Sequence, residues 1–156
     1  MKNTFKQHGF AFLMAVVALS TLSLTGCQDD SPKVDTALNG TWIDYENNMQ
    51  VKFNNGSFEA TERAKGTYTT SGGNCTAIIT HLYGEQIGLQ SKWYSKTDLK
   101  TIFKQSGYMT DSEINTYLNT YFAPMTGTYS VNGNTLTMTF NSGMYEDEEF
   151  IFTKVK

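Results

Sequence analysis

Alternation of apolar and polar residues is the clearest pattern in the last third of the chain. Leu136, Met138 and Phe140 alternate with three threonines. A period of two residues places side chains on one face of a strand, so this segment predicts a β-strand with one buried face. Asn132-Gly133, just before it, is typical of a tight hairpin turn, because both residues tolerate positive φ. This part of the chain is therefore predicted to form a β-hairpin.

Strand-like runs separated by turn residues extend over most of the chain. Asn54-Asn55-Gly56 and Asn141-Ser142-Gly143 each separate two such runs. Strands are predicted near residues 41–46, 48–53, 57–63, 65–70, 75–83, 87–94, 127–131, 135–140 and 147–155. Eight or nine antiparallel strands joined by tight turns must close or stack to remove their edges. We therefore predict a mainly β fold built as an antiparallel barrel.

Two helices are predicted between the sixth and seventh strands. Three apolar residues share one face of the first helix: Leu99, Ile102 and Phe103. Ser95 or Thr97 can cap its start, and Gly107 can end it. Four residues share one face of the second helix: Ile114, Tyr117, Leu118 and Tyr121. Thr110–Glu113 is a capping box for this helix. A helical insertion is therefore predicted over residues 95–122.

Charge and histidine content argue against several classes of function. The net charge is −3, and it becomes −5 if residues 1–26, which hold two lysines and no acidic residue, are removed. An acidic surface does not favour the phosphate contacts of nucleic-acid binding. His8 and His81 are the two histidines, whereas a zinc site needs several nitrogen or sulfur ligands. We therefore expect no nucleic-acid partner, no metal, no cofactor and no enzymatic activity.

Three further features have simple structural interpretations. Cys75 lies in a strand-like run and is expected to be a buried thiol. The acidic run Glu146-Asp147-Glu148-Glu149 lacks the spaced ligands and the glycine of a calcium loop. It is expected to be a solvated hairpin end. A lone His81 is expected to be structural or exposed.

The N-terminus has the order of a secretory signal. Two lysines precede an apolar run at residues 10–24, which is followed closely by Cys27. Leu24-Thr25-Gly26-Cys27 resembles the lipobox of bacterial lipoproteins. The resemblance implies that residues 1–26 are a signal peptide that is cleaved and that Cys27 carries a lipid.

The same resemblance implies a location and a domain order. Residues 27–37 would be a lipidated tether and residues 38–156 the folded domain. Acyl chains on Cys27 would hold the protein on a membrane of the bacterial cell envelope, and the outer membrane is the expected one. Asp29-Asp30 resembles the acidic signals that send some bacterial lipoproteins to the cell surface. A solvated tether with no such signal is the alternative interpretation.

A Gly-Thr-aromatic motif recurs along the folded part of the chain. It occurs three times, at Gly40-Thr41-Trp42, Gly66-Thr67-Tyr68 and Gly127-Thr128-Tyr129. The first copy resembles the Gly-x-Trp opening of lipocalins. The hairpins that follow the other two are similar to those of bacterial lipocalin-like lipoproteins. The resemblance implies a lipocalin-like barrel of eight or nine strands over residues 38–156, with the helices inserted in it.

The resemblance also implies structural roles for the repeated aromatics. In lipocalins the tryptophan, here Trp42, closes the base of the barrel and is packed by an arginine late in the chain. This chain has no arginine after Arg63, and Lys154 is the available substitute. Tyr68 and Tyr129, at the equivalent position of the other two copies, are expected to be structural as well.

Aromatic side chains are the candidates for a binding site. The chain has nine Tyr, ten Phe and two Trp. Five lie in or next to the helical insertion: Trp93, Tyr94, Phe103, Tyr117 and Tyr121. Rings with a few polar tips are the usual lining of a small-ligand site. Plain core packing is the alternative for each of them.

The sequence thus supports two hypotheses of different classes. The first is an envelope lipoprotein whose barrel binds a small hydrophobic or amphipathic ligand, with the helices over one mouth. The second is a surface-exposed protein-interaction module with a packed, ligand-free core, because an eight-stranded barrel is just wide enough to be filled by its own side chains. The expected partners are therefore the membrane, through Cys27, and either a small apolar ligand or another protein.

Overall fold

The structure is a computed structural model that describes residues 33–156. The predicted signal peptide, the lipobox with Cys27, and Asp29-Asp30 lie outside the described residues. Its strands are β1 (Gly40–Asp44), β2 (Met49–Asn54), β3 (Ser57–Ala60), β4 (Ala64–Ser71), β5 (Asn74–Tyr83), β6 (Trp93–Ser95), β7 (Met125–Asn132), β8 (Thr135–Phe140) and β9 (Glu149–Lys154). Its α-helices are α1 (Lys96–Ser106) and α2 (Asp111–Phe122), and short 3₁₀ turns cover Thr36–Leu38 and Gly84–Ile87.

Eight of the strands close into an antiparallel barrel. Around the barrel the order is β1, β2, β3, β4, β5, β7, β8 and β9, and β9 pairs with β1 to complete the circle. One edge of β5 pairs with β4, and the other pairs first with β7 and then with β6. Strand β6 is therefore an extra strand, which pairs with the same edge of β5 as β7 does, farther along β5. The predicted mainly β barrel with two helices is confirmed.

The alternation in the sequence becomes the inside and outside of the barrel. Leu136, Met138 and Phe140 of β8 face inward and are buried, whereas Thr135 is exposed. Asn132 pairs with Thr135 across the predicted hairpin turn. The predicted exposure of the acidic run at residues 146–149 is also confirmed.

The glycines of two motif copies are required by close backbone packing. A Cβ on Gly66 would overlap the carbonyl oxygen of Ile78 on the neighbouring strand. A Cβ on Gly127 would overlap the carbonyl oxygen of Thr139 in the same way. Such close approach of two backbones is a known reason for glycine within a strand. The repeat therefore has a structural cause in the tandem hairpins β4–β5 and β7–β8.

The two helices begin and end as predicted. Ser95 caps α1 in a capping box with Asp98, and its hydrogen bonds lower the pKa of that carboxyl. Thr110 forms the same arrangement with Glu113 at the start of α2. The helices pack against each other, and they also contact β6 and β5. Neither of these helices, within residues 33–156, has the length and apolar content needed to cross a membrane.

One predicted strand is wrong. Residues 87–94 were expected to be extended, but a 3₁₀ turn and a tight loop occupy residues 84–92, and β6 begins only at Trp93. The loop is closed because the Gly84 N–H donates to the Lys92 carbonyl and the Leu89 N–H donates to the Gly84 carbonyl. Gly88 then takes a left-handed conformation, which reverses the chain direction.

The described part of the expected tether is attached to the barrel. The Lys33 carbonyl accepts a hydrogen bond from the backbone of Thr70, and the Asp35 N–H donates to the Thr70 hydroxyl at 2.7 Å. The Tyr129 hydroxyl donates to the Asp35 carboxylate at 2.8 Å. Residues 33–38 therefore cross the end of the barrel at which the β4–β5 and β7–β8 turns lie.

Candidate functional site

The barrel encloses a small apolar cavity of about 70 Å³. Seven strands contribute inward side chains to its wall, among them Val51, Phe53, Ile79, Met138 and Phe150. Because nearly all of the wall is hydrocarbon, the cavity suits an apolar group better than water, which needs several polar partners.

One end of the barrel is filled. Leu38, Trp42 and Leu136 are fully buried there and do not line the cavity. The indole N–H of Trp42 donates to the Leu38 carbonyl at 2.7 Å. This bond holds the N-terminal segment of the domain against the tryptophan ring. We call this end the base of the barrel.

Two polar side chains, Arg63 and Tyr145, line the cavity at the opposite end. Arg63 lies in the turn between β3 and β4, and Tyr145 lies in the loop between β8 and β9. The Tyr145 ring packs edge-on against Phe150, with ring centroids 5.4 Å apart. Burial raises the pKa of Tyr145, and the positive charge of Arg63 opposes that rise. We call this end, with these two side chains, the mouth.

Arg63 is the charged residue of the cavity lining. Its guanidinium donates to the Asn47 carbonyl at 3.4 Å. Within residues 33–156 it forms no ion pair with a carboxylate. A half-buried arginine in the lining of an apolar cavity, with no carboxylate paired to it in residues 33–156, is suited to an anionic group.

The wall can adapt to what it holds. Met49, Met125 and Met138 all line the cavity. Methionine side chains have several low-energy rotamers and fill irregular space easily. The cavity can therefore widen by side-chain rotation while the backbone of the barrel stays in place.

Two polar atoms of the wall are unsuited to chemistry. The Tyr68 hydroxyl is buried and has no hydrogen-bond partner within the part of the chain that the structure describes. Burial also raises the pKa of this phenol. Cys75 is a free, buried cysteine, as predicted, and burial raises the pKa of its thiol. A thiol held in its protonated form is a poor nucleophile.

The five candidate ligand residues lie elsewhere. None of them lines the cavity: Trp93, Tyr94, Phe103, Tyr117 and Tyr121. The ring of Trp93 packs on Tyr83, with centroids 5.2 Å apart. Tyr117 packs on Phe103 and on Tyr121, with centroids 5.4 Å and 4.7 Å apart. These last three form an aromatic cluster on the helices, and a ligand role for them stays a prediction.

Tyr121 is the candidate that approaches the mouth. It is close enough to Tyr145 to contribute to the raised pKa of that phenol. Helix α2 therefore flanks the mouth, although no helical residue lines the cavity. Tyr145, from the loop between β8 and β9, lines the cavity at this end, and the covering of a mouth by the helices stays a prediction.

Neither of the two mouth residues is predicted by the sequence patterns. Arg63 is the chain's one arginine, beside eleven lysines, and that rarity was a usable signal. Tyr145 precedes the acidic run, and nothing in its neighbours distinguishes it. The structure also shows no group of three His, Cys, Asp or Glu side chains in residues 33–156 that could hold a metal ion.

Comparison with known proteins identifies no relative. No family model, no curated protein and no solved structure matches the chain. The closed eight-stranded antiparallel barrel is compatible with the lipocalin-like architecture that the Gly-Thr-Trp opening implies. The site must therefore be interpreted from its own geometry.

Proposed function

We propose that this protein is a lipid-anchored envelope protein whose barrel binds a small amphipathic ligand. The apolar part of the ligand would fill the cavity, and an anionic group would meet Arg63 at the mouth. The observation that carries the proposal is the position of the chain's one arginine at the edge of an apolar cavity. The proposal involves binding alone and no catalytic step.

The size of the cavity limits the ligand. A cavity of about 150 Å³ lined by aliphatic and aromatic side chains accepts benzene, and this one is about 70 Å³. It therefore holds a short alkyl group as it stands. Binding of a longer chain requires rotation of the methionines or of Tyr145. Each buried Å² of apolar surface contributes about 25 cal/mol, so affinity should rise with chain length until the cavity is full.

The anchor is a separate part of the proposal. It depends on the lipobox resemblance of Leu24–Cys27, with the acyl chains on Cys27. The outer membrane is the proposed membrane, with exposure at the cell surface as the further possibility that Asp29-Asp30 favours. Globomycin-type inhibition of signal cleavage, with mass measurement of the N-terminal peptide, tests the anchor without reference to the ligand.

The small volume also favours the second candidate function. An interaction module with a filled core would need no larger interior than this one. The two candidates differ in what the cavity does. The first requires a ligand in it, and the second requires only that the outer surface be presented to a partner protein.

Native mass spectrometry of the chain from residue 28 onward, without detergent, separates them. Linear carboxylates of four to twelve carbons would be added in turn, together with the neutral alcohols of the same lengths. We expect the carboxylates to bind more tightly than the alcohols. Arg63→Gln should remove most of that preference, about tenfold in affinity, because a charge-assisted hydrogen bond contributes about 1.5–3 kcal/mol.

Two matched variants complete the experiment. Lys100→Gln removes the same charge from an exposed position on α1 and should leave binding unchanged. The pair Trp93→Ala and Tyr117→Ala tests the helical aromatic residues. Loss of binding in that pair, with binding retained in Arg63→Gln, would place the ligand at the helices. No binding of any member of the series would favour the interaction module.

A further inference from the structure

A groove of about 330 Å³ lies on the outer face of strands β2 to β5. Its lining includes Lys52, Glu59, Lys65, Thr80 and His81. All five side chains project away from the interior cavity. Phe58 lines both the interior cavity and the groove, so it separates the two. The groove is therefore a second concave region, distinct from the proposed ligand cavity.

The charged residues of the groove form one row across four strands. Lys52 pairs with Glu59, Glu59 with Lys65, and Lys65 with His81. Neighbouring strands are about 4.8 Å apart, so the two lysines lie on strands about 10 Å apart with Glu59 between them. Lysine side chains have long flexible stems, so both ammonium groups can reach a single ligand above Glu59 when the Lys65 ammonium rotates away from the Trp93 ring.

Neither lysine is neutralised by an ion pair. In residues 33–156 no carboxylate lies within ion-pair distance of Lys52 or Lys65, and the ion pair that is present joins Lys104 to Asp111. The Lys65 ammonium instead lies over the ring of Trp93, 5.0 Å from its centroid. Two lysines against one glutamate give the groove a net positive charge, on a chain whose net charge is −3.

A β-bulge orients His81 beside these lysines. The register of β4 and β5 shifts between Lys65 and Gly66, so Thr80 and His81 both face outward. The Thr80 hydroxyl donates to the Lys65 carbonyl at 3.2 Å and lies 3.0 Å from His81 Nδ1. A hydroxyl has one proton to donate, so with that proton on the Lys65 carbonyl the tautomer that fits has Nδ1 donating to Thr80. The other ring nitrogen, Nε2, is left without a protein partner among the described residues.

We propose that this groove binds an oxyanion group, such as a sulfate or a phosphate ester, between Lys52 and Lys65. In its protonated form His81 supplies a third donor through Nε2. Glu59 repels the anion and lowers its affinity. Replacement of Glu59 by a neutral residue should therefore raise the affinity, whereas replacement of the lysines should lower it. The charged groups that face His81 are Lys65 on β4 and Asp98 at the start of α1, whose pKa the histidine helps to lower. This site does not depend on the ligand of the interior cavity.

Sulfate titration of the full chain in a neutral detergent, followed by amide and imidazole NMR, tests the site. We expect saturable shifts centred on Lys65, Thr80 and His81, including the Nε2 resonance. The variant K52Q/K65Q should weaken sulfate binding more than tenfold, because two charge-assisted hydrogen bonds are lost. Glu59→Gln should strengthen it. The variant K100Q/K104Q removes the same charge from α1 and should leave the dissociation constant within about twofold of the parent value.

Two further arms identify the source of the anion. Glycerol phosphate represents a soluble phosphomonoester, and vesicles of phosphatidylcholine with phosphatidylglycerol represent a lipid headgroup. Binding of glycerol phosphate without binding of the vesicles would indicate that the site takes a soluble ligand. Binding of glycerol phosphate and of the vesicles would indicate that it accepts an exposed phosphate of either origin. Chemical-shift changes that increase linearly with sulfate concentration, without saturation, would overturn the proposal. So would an equal loss of affinity in K52Q/K65Q and K100Q/K104Q.

Discussion

The Lys154 ammonium lies 4.9 Å from the centroid of the Trp42 ring. The two residues are direct partners in the β1–β9 pairing that closes the barrel. The lipocalin resemblance implies that an arginine late in the chain packs the tryptophan, and in this chain a lysine packs on it. A cation over the face of a buried indole is attractive, so the packing of the base is retained with a different side chain.

Removal of that cation should destabilise the base. Lys154→Ala is expected to lower the free energy of unfolding by about 1 kcal/mol, since it removes the cation–π contact and the packing of the lysine stem. Lys154→Arg should retain or slightly raise stability, because a planar guanidinium stacks on the ring. Chemical denaturation measures both. Lys156→Ala, at an exposed position nearby, is the control, and an equal loss there would contradict the explanation.

The motif glycines should be intolerant of a methyl group. Gly66→Ala and Gly127→Ala would each press a Cβ into a carbonyl oxygen of the next strand. We expect each to lower the free energy of unfolding by about 3 kcal/mol, at the upper end for overpacked sites. Gly72→Ala, where no atom lies near the added Cβ, should cost about 1 kcal/mol for its positive φ alone. Thermal unfolding of the three variants would show whether this order is correct.

Alkaline pH should unfold the protein through its tyrosines. Burial raises the pKa of Tyr68, Tyr129 and Tyr145 above the ordinary value of 10.0. Burial and a hydrogen bond with Tyr121 raise the pKa of Tyr117 to about 12. These phenols keep their protons in the folded chain at a pH where the unfolded chain has lost them. Their contribution to stability is therefore full below pH 10.0 and is lost as the pH rises through the raised values.

Tyrosinate absorbance during a pH titration measures this effect. The tyrosines whose pKa is raised by burial should ionise above pH 10.0, together with loss of folded structure. Tyr117→Phe should remove the component near pH 12. A single titration of all tyrosines near pH 10 with the fold intact would contradict the predicted burial.

Cys75 should be inert in the folded protein. Its side chain is 4% exposed, and burial raises the pKa of the thiol. We expect a thiol reagent at neutral pH to modify it only as fast as the barrel unfolds. The rate should therefore increase steeply with denaturant. Rapid modification under native conditions would show that the cavity wall opens at β5.

The fold could be predicted from local patterns, because strand alternation and helix capping are local properties. The alternation around Met138 correctly predicts which face of β8 is buried. The capping residues Ser95 and Thr110 correctly predict where the two helices begin. The loop at residues 84–92 was not predicted. Its hydrogen bonds join residues several positions apart, and the apolar–polar pattern of this segment resembles that of an extended strand. Gly84 and Gly88 are the residues in this segment that argue against a continuous strand.

The lining of the cavity could not be predicted in the same way. Trp93 and Tyr94 are adjacent, so they point to opposite faces of β6, and the sequence does not say which face is enclosed. Arg63 and Tyr145 lie in separate turns, 82 positions apart in the sequence. Only the closure of the barrel through β1 and β9 brings them to one cavity. The five aromatic candidates near the helices do not line this cavity, and their role in ligand binding stays a prediction.

The hydrogen bonds that join Lys33 and Asp35 with Thr70 and Tyr129 have a consequence for how a ligand would arrive. Thr70 is near the end of β4, and Arg63 directly precedes its start, so the chain joins the barrel opposite the mouth. Five residues separate Cys27 from Lys33, which allows a span of about 20 Å when extended. If Cys27 carries the proposed lipid, the base would be the end of the barrel nearer to the anchor in the sequence, and the mouth would be the end farther from it. A ligand would then enter from the side that faces away from the proposed anchor.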